Sequence, residues 1–389
     1  MPIAGLTLFA RDDIRSYAAA LLLAVAISIP AAAWARRLAL DRGLVDPTNG
    51  RKQHRLPTPR VGGFGIFAGF LLGSIVGLVL LGHHLNDGRV LGTVLPMLGG
   101  ATLMFIIGLA DDLSHRQGRE GLPALVKLVA QLVAACIVAS VARVQSLQIP
   151  GGEYLIFPAW LQWASTVFWI VFVMNSINFI DGMDGLAGGV SLIFALCLAL
   201  VGISRAPGVK CYGEAVLAIA LVGGLVGFLR LNFPPAKVFM GDGGALLLGY
   251  VLAAISVSGL MKSAALIGVL APLMVLALPM VDLVKVVAGR VMRGENPMKA
   301  DRTHLHHRLA DAGWSVYSAL LFAYALAGLC GCAAMSLLRL RGAGVVLALT
   351  VALMLIMVAT RRPRAGDLGA LDTCPEPEPP ADSQPQDCD

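Results

Sequence analysis

The chain has 389 residues, of which 57% are hydrophobic and 14% are charged, and its mean hydropathy is +0.77. Soluble domains carry about 25% charged residues, so this composition excludes an ordinary soluble protein. The net charge of +6 indicates attraction to anionic lipid head groups and anionic substrates, and it requires no nucleic-acid partner.

Apolar segments recur along the chain, and each is long enough to cross a bilayer as a helix. A span needs roughly 20 apolar residues, because lipid forces the backbone groups to hydrogen-bond within the segment. We predict an all-α, multi-pass membrane protein with eleven spans. The spans cover residues 17–35, 61–82, 91–110, 123–142, 159–178, 186–204, 213–230, 244–261, 265–288, 315–338 and 343–360. Residues 1–360 form one membrane-embedded domain, and the polar tail 361–389 is predicted to be disordered.

The basic residues are divided unevenly between the two sets of loops. One side contains the loops 36–60, 111–122, 231–243 and 289–314 together with the tail. Counting Arg230 at its edge, this side holds 19 Lys and Arg residues, whereas the other side holds nine. Because positively charged loops remain in the cytosol, we predict an external N-terminus and a cytosolic C-terminus.

Acidic and amide side chains lie at the cytosolic ends of the third and fifth predicted spans. Asp111 and Asp112 end the third span, and Asn178, Asp181 and Asp184 follow the fifth. Adjacent carboxylates at a membrane boundary repel one another and are costly to desolvate. A divalent cation or a cationic substrate group is therefore expected to offset them, with helix capping or solvated loop acids as the alternative.

Asn232 and Asp242 flank a glycine-rich loop between the seventh and eighth predicted spans. Carboxylate oxygens suit Mg²⁺, which is usually shared between one or two carboxylates, water and substrate phosphate. Glycine also lets the backbone approach a phosphate closely. A single carboxylate in a glycine loop is common in simple turns, so this motif alone leaves both interpretations open.

A group of histidines, His304, His306 and His307, follows the ninth predicted span and is followed by Arg308. The spacing differs from the i, i+4 pair of zinc enzymes, and no cysteine is nearby. Histidine and arginine donors suit a diphosphate, so we interpret this segment as an anion-binding loop. A basic loop at the lipid surface is the alternative.

Five motifs in this order resemble the polyprenyl-phosphate N-acetylhexosamine-1-phosphate transferases. They are PTPRVGG, the pair Asp111–Asp112, NFIDGMDGLAGG, NFPPAKVFMGDGG and HLHHRL, and they lie between Asp46 and Gly313. The resemblance implies a protein of the bacterial inner membrane, with a periplasmic N-terminus. It also implies that a polyprenyl phosphate attacks the β-phosphorus of a UDP-sugar and releases UMP. The implied cofactor is Mg²⁺, with Mn²⁺ as an alternative ion.

The resemblance also implies roles for individual residues. Asp242 would be the magnesium ligand, with Asp184 as a second metal-site residue. Asp111 and Asp112 would lie near the lipid phosphate and the metal, one of them as the candidate base, and His306 is counted with them as catalytic. The substrate-binding candidates are Arg60, Lys127, Asn178, Asp181, Asp184, Asn232, His304, His307 and Arg308.

Two motifs narrow the donor within the family. This chain has TPRVGG and HLHH, whereas the branch that uses UDP-N-acetylmuramoyl-pentapeptide has TPTMGG and three contiguous histidines. We therefore predict UDP-N-acetylglucosamine as donor and undecaprenyl phosphate as acceptor, at the start of an envelope polysaccharide such as O-antigen. Another UDP-N-acetylhexosamine is the alternative donor. Direct displacement is preferred to a covalent aspartyl route, and a homodimer is left open.

Two other classes of protein match part of this pattern. An ion-coupled secondary transporter also has intramembrane carboxylates and broken helices, but its ionisable groups lie near the bilayer midplane, often in two related halves. Here the acids fall at span ends, and the sequence shows no internal repeat. An alcohol phosphatidyltransferase requires an arginine soon after its first Asp-Gly, which DGMDGLAGG lacks.

Overall fold

The computed structural model describes most of the chain as a bundle of long helices. The described residues are 11–44, 58–82, 88–114, 121–148, 154–204, 211–259, 292, 315–337 and 342–360. The helices within them are α1 (Arg11–Asp41), α2 (Gly62–Leu80), α3 (Arg89–Ser114), α4 (Ala124–Val141), α5 (Ala159–Ile180), α6 (Leu186–Ser204), α7 (Tyr212–Asn232), α8 (Gly241–Gly259), α9 (Val316–Leu337) and α10 (Ala343–Thr360).

These helices coincide with ten of the eleven predicted spans, which confirms the all-α, multi-pass architecture. Nine helices in the described part of the chain are long and apolar enough to cross a membrane, and Ala343–Val358 is a shorter apolar helix. The predicted span 265–288 and the tail 361–389 lie outside the described residues.

A short antiparallel hairpin connects α4 to α5, in a segment where the sequence pattern predicts only a loop. Its strands are β1 (Ser146–Gln148) and β2 (Tyr154–Ile156), and Ser146 pairs with Ile156. Strands of three residues are too short to show the alternation of polar and apolar side chains by which strands are recognised.

Small residues allow α1, α2 and α7 to pack closely together. A methyl group added at Gly73 of α2 would come within 2.7 Å of the Ala20 carbonyl oxygen on α1. Ser28 Oγ on α1 donates a hydrogen bond to the Gly224 carbonyl on α7, 2.7 Å away. Such close backbone approach is typical of helix association in membranes, where dispersion contacts and internal hydrogen bonds hold helices together.

The up-and-down connections bring the conspicuous acids to one end of the bundle, which we call the acidic end. Helices α3, α5 and α7 finish there, and α2, α4, α6 and α8 begin there. Helix α8 is almost entirely buried, with α3 and α5 packed along it. The first turn of α8 is therefore enclosed by neighbouring helices at the acidic end.

Candidate active site

Lys127 forms the centre of a charge cluster at the acidic end. Its Nζ lies 3.1 Å from Asp111 Oδ2 and 3.0 Å from Asp242 Oδ2, so one ammonium joins the last turn of α3 to the first turn of α8. The other oxygen of Asp111 accepts a hydrogen bond from the Leu122 N–H at 2.6 Å. These contacts link three segments that are distant in sequence.

The three residues of this cluster differ in how far they are exposed. The side chains of Lys127 and Asp242 are 24% and 22% exposed, whereas that of Asp111 is 2% exposed. A soluble ion or a substrate phosphate can therefore approach Lys127 and Asp242 directly. Asp111 lies behind them and acts on such a ligand through Lys127.

Asp112 makes a different set of contacts from its neighbour Asp111. Its Oδ1 accepts the Asp242 N–H and its Oδ2 accepts the Gly243 N–H, both at 2.9 Å. The first N–H groups of a helix lack intrahelical partners, so this carboxylate caps the N-terminus of α8. Gly241 enters the helix with φ of +75°, a backbone conformation that glycine adopts without steric cost.

The segment 58–63 is hydrogen-bonded to the end of the α7–α8 connection. The N–H groups of Gly62 and Gly63 donate to the carbonyls of Phe239 and Met240, both at 2.9 Å. In return, the Phe239 N–H donates to the Pro59 carbonyl at 2.9 Å. The PTPRVGG and FMGDGG motifs, separated by about half of the chain, thus form one hydrogen-bonded unit.

Helix α3 approaches the first turn of α8 at the backbone of Gly108. A Cβ added to Gly108 would lie 2.4 Å from the Asp242 carbonyl oxygen and 2.5 Å from Gly243 Cα. We expect Gly108→Ala to displace Asp242 from Lys127 and to lower turnover at least tenfold. We also expect a loss of about 1–3 kcal/mol of stability, as for other overpacked sites.

Gly99 on the same helix is the matched control, since a Cβ there would meet nothing within 4 Å. Gly99→Ala should retain full activity and gain slightly in stability, because alanine favours helix more than glycine does. The measurements are catalytic turnover and thermal unfolding in detergent. Equal activity in the two variants would contradict the close contact at Gly108.

The turn between α5 and α6 is joined to the α7–α8 connection by side chains from both. Asp184 Oδ2 accepts the Ala236 N–H at 2.9 Å. Asn232 Oδ1 accepts the Gly185 N–H at 3.0 Å, while its Nδ2 donates to the Val238 carbonyl at 2.8 Å. Asp184 and Asn232 thus hold the two segments in a fixed arrangement.

Two tyrosines of α9 bind to the same segments. Tyr324 Oη donates to the Gly185 carbonyl at 2.6 Å, and Tyr317 Oη donates to the Pro234 carbonyl at 2.9 Å. Gly185 has φ of +78°, and Tyr324 packs against Gly189 in the next turn. Helix α9 therefore helps to position the turn between α5 and α6. The sequence pattern of this span does not single out its two tyrosines.

Removing the Tyr324 hydroxyl tests this support. Tyr324→Phe removes one of two donors to the buried Gly185 carbonyl, which keeps the Gly189 N–H, so we expect a loss of about 0.5–1.5 kcal/mol in the free energy of unfolding. Tyr250→Phe is the control, because the buried Tyr250 hydroxyl has no hydrogen-bond partner among the described residues. Thermal unfolding should show Tyr324→Phe destabilised and Tyr250→Phe unchanged or stabilised; the opposite order would refute the assignment.

Other acidic residues lie near Asp181, which directly follows α5 and is half-buried. Burial raises the pKa of its carboxyl well above the usual range. The nearby charges of Asp242 and Asp112 raise this pKa further, while Arg60 opposes them. Asp112, Asp181 and Asp242 are thus close enough to repel one another when ionised, and a cation bound nearby would relieve this repulsion.

The described residues fit a magnesium ion only as one shared with substrate. They contain no group of three or more His, Cys, Asp or Glu side chains placed to hold a metal on their own. Mg²⁺ needs no such cage, because one or two carboxylates with water and substrate phosphates are its usual ligands. Asp242 suits this arrangement, since it is partly exposed and forms an ion pair with the Lys127 ammonium.

The structure brings together most of the residues that the motifs single out. The predicted site residues located at the acidic end are Arg60, Asp111, Asp112, Lys127, Asn178, Asp181, Asp184, Asn232 and Asp242. Those outside the described residues are His304, His306, His307 and Arg308. Their roles stay predictions. Tyr317 and Tyr324 were not among the predicted site residues. The available signal for them was a hydroxyl within an apolar span, where it requires a partner.

Comparisons with known proteins point to one family. The family model described as Glycosyl transferase family 4 matches residues 94–260. A Bacillus subtilis (strain 168) protein named probable undecaprenyl-phosphate N-acetylglucosaminyl 1-phosphate transferase is 33% identical over 294 residues, covering 74% of this chain and 76% of the relative.

Two further relatives carry related names. The decaprenyl-phosphate N-acetylglucosaminephosphotransferase of Mycolicibacterium smegmatis is 34% identical over 375 residues, covering 90% of this chain and 89% of the relative. The phospho-N-acetylmuramoyl-pentapeptide-transferase of Bacillus thuringiensis is 28% identical over 303 residues, covering 76% of this chain and 88% of the relative. The aligned regions extend beyond the acidic end over most of the bundle.

Proposed function

Because the chain belongs to glycosyl transferase family 4 and is a phospho-sugar transferase, we propose that it acts on UDP-N-acetylglucosamine and undecaprenyl phosphate. The product is a lipid-linked N-acetylglucosamine diphosphate, formed at the start of an envelope polysaccharide. The observation that carries this proposal is the Lys127 cluster, in which an accessible ammonium and an accessible carboxylate lie side by side at one end of the bundle.

The reaction exchanges one phosphorus–oxygen bond for another. An oxygen of the lipid phosphate forms a bond to the β-phosphorus of the donor. The bond from that phosphorus to the bridging oxygen breaks, and its electron pair leaves with UMP. The lipid phosphate is already anionic near neutral pH, so the protein has more need to screen two repelling anions than to remove a proton. Alignment and charge neutralisation are the main contributions of enzymes to phosphoryl transfer.

The chain supplies this screening from Lys127 and the residues around it. The ammonium of Lys127 is partly exposed, so it can contact a phosphate oxygen while the buried Asp111 carboxylate holds it in place. Asp242 would hold Mg²⁺, which supplies charge neutralisation to the diphosphate when bound. Asp184 stays a second candidate for the metal, although it is 9% exposed and already accepts the Ala236 N–H.

The donor assignment has support from the relatives as well as from the motifs. Relatives named for N-acetylglucosamine are 33% and 34% identical to this chain, whereas the relative named for N-acetylmuramoyl-pentapeptide is 28% identical. The relatives' names divide between undecaprenyl and decaprenyl phosphate, so the length of the acceptor is assigned by the sequence resemblance. The acidic end is assigned to the cytosol of a bacterium, where UDP-sugars are found, and the basic loops favour the same orientation.

A donor panel tests the proposal directly. Purified protein is supplied with undecaprenyl phosphate, Mg²⁺ and one radiolabelled donor at a time: UDP-N-acetylglucosamine, UDP-N-acetylgalactosamine or UDP-N-acetylmuramoyl-pentapeptide. We expect labelled lipid from UDP-N-acetylglucosamine, at a rate at least tenfold above the other donors. A parallel series with decaprenyl phosphate assigns the acceptor. Preference for another donor would overturn the sugar assignment, and transfer from none would overturn the reaction.

A further inference from the structure

We propose that Asp112 is a positioning residue for Asp242 and has no direct contact with either substrate. This inference deepens the proposed function, since it assigns different tasks to the two adjacent aspartates. Asp111 holds the Lys127 ammonium, and Asp112 holds the backbone from which Asp242 projects. The pair therefore consists of one electrostatic residue and one helix-capping residue, not of two equivalent acids.

Both carboxylate oxygens of Asp112 are hydrogen-bonded to the backbone of α8. Each of its two carboxylate oxygens accepts a backbone N–H of α8, from Asp242 and from Gly243, at 2.9 Å. Neither N–H has a carbonyl partner within the helix, because both belong to its first turn. The carboxylate is thus bidentate on the peptide groups on either side of the Asp242 Cα, and it restrains the direction in which the Asp242 side chain leaves the helix.

The carboxylate of Asp112 fits closely against Gly241 and Gly243. An ideal Cβ on Gly241 would lie 2.5 Å from Asp112 Oδ2 and 2.8 Å from the Arg60 carbonyl oxygen. A Cβ on Gly243 would lie 3.3 Å from the same carboxylate oxygen. The carboxylate therefore fits into a space that exists because both neighbours lack side chains. A phosphate group of much greater volume has no room between Asp112 and this backbone.

The contacts of Asp112 also limit how phosphate can bind at the N-terminus of α8. Helix N-termini commonly bind phosphate through free N–H groups. In this chain Asp112 already occupies two of these groups at the N-terminus of α8. The donor diphosphate cannot use these two groups, so we expect it to depend on Lys127 and on other cationic groups, with the helix held in place by the protein's own carboxyl group.

Hydrogen exchange tests the capping role without reference to any substrate. In Asp112→Ala the N–H groups of Asp242 and Gly243 lose their acceptors, so a peptide that contains both should exchange at least about tenfold faster. The matched control is Asp111→Ala, which removes the adjacent carboxylate but leaves both hydrogen bonds intact. We expect that control to leave the exchange of this peptide unchanged. Equal exchange in Asp112→Ala and the unsubstituted protein would overturn the proposal.

Kinetics of a conservative variant separate positioning from acid–base chemistry. In Asp112→Asn the amide oxygen still accepts one of the two hydrogen bonds, so kcat should exceed that of Asp112→Ala at least about tenfold. Both variants should keep the KM values for lipid and donor, and the pH profile of kcat should keep its limbs. A base at this position would make Asn as inactive as Ala and remove one limb, which would overturn the proposal. A different preferred sugar would change the donor assignment only, since the exchange result does not involve it.

Discussion

Asp242→Asn is expected to lower turnover by about a thousandfold, the scale on which loss of one preorganised electrostatic group lowers kcat. Asp242 is the partly exposed carboxylate beside Lys127, with 22% of its side chain accessible. Asparagine has nearly the same size, and the backbone N–H bound by Asp112 is retained, so the first turn of α8 stays in place. The substitution therefore removes only the negative charge, and the variant should bind a divalent cation more weakly.

Transfer of labelled sugar-phosphate measures turnover, and thermal unfolding with and without Mg²⁺ measures folding and cation binding. The matched control is Glu214→Gln, which also replaces a carboxylate by an amide in a bundle helix. Glu214 lies in the first turn of α7, at the opposite end from the acidic end, where Ser258 donates a hydrogen bond to it. Glu214→Gln should keep turnover and the response to Mg²⁺. Near-normal turnover in Asp242→Asn would remove this residue from the cation site.

The bundle follows from the sequence more directly than the site does. Apolar runs of sufficient length must become helices in lipid, and short loops must return each helix to the opposite face. The order of the spans puts Asp111 and Asp242 at the same end of the bundle, where Lys127 joins them. Their proximity was therefore predictable from the order of the spans and the position of each acid at a span end.

The division of tasks among the polar residues was not predictable in this way. Asp112 and Asn232 have the residue types of ligands, but their side chains bind backbone groups of α8 and of the α7–α8 connection. A motif gives residue type and spacing, whereas the direction of each side chain depends on how distant segments pack. Gly108 is another example, since its close contact with α8 becomes visible only when both helices are in place.

Lys127→Met is expected to lower turnover about a hundredfold and, at the same time, to increase the stabilisation that Mg²⁺ gives to the protein. The ammonium of Lys127 compensates Asp111 and Asp242 together. Removing it leaves the buried Asp111 carboxylate uncompensated, which is strongly destabilising for a buried pair. A divalent cation can restore the missing positive charge, so the variant should gain more from Mg²⁺ than the unsubstituted protein does.

The control is Lys237→Met, which removes an exposed lysine from the α7–α8 connection at the same end of the bundle. It should keep both turnover and the response to Mg²⁺, because its ammonium does not compensate these carboxylates. In Lys127→Met, turnover falls while stabilisation by Mg²⁺ rises only if the ammonium and the cation compete for the same carboxylate oxygens. Such competition would mean that cation binding releases Lys127 from Asp242 and leaves its ammonium available to a substrate phosphate. An unchanged Mg²⁺ response together with lost turnover would contradict this exchange and place the cation apart from Lys127.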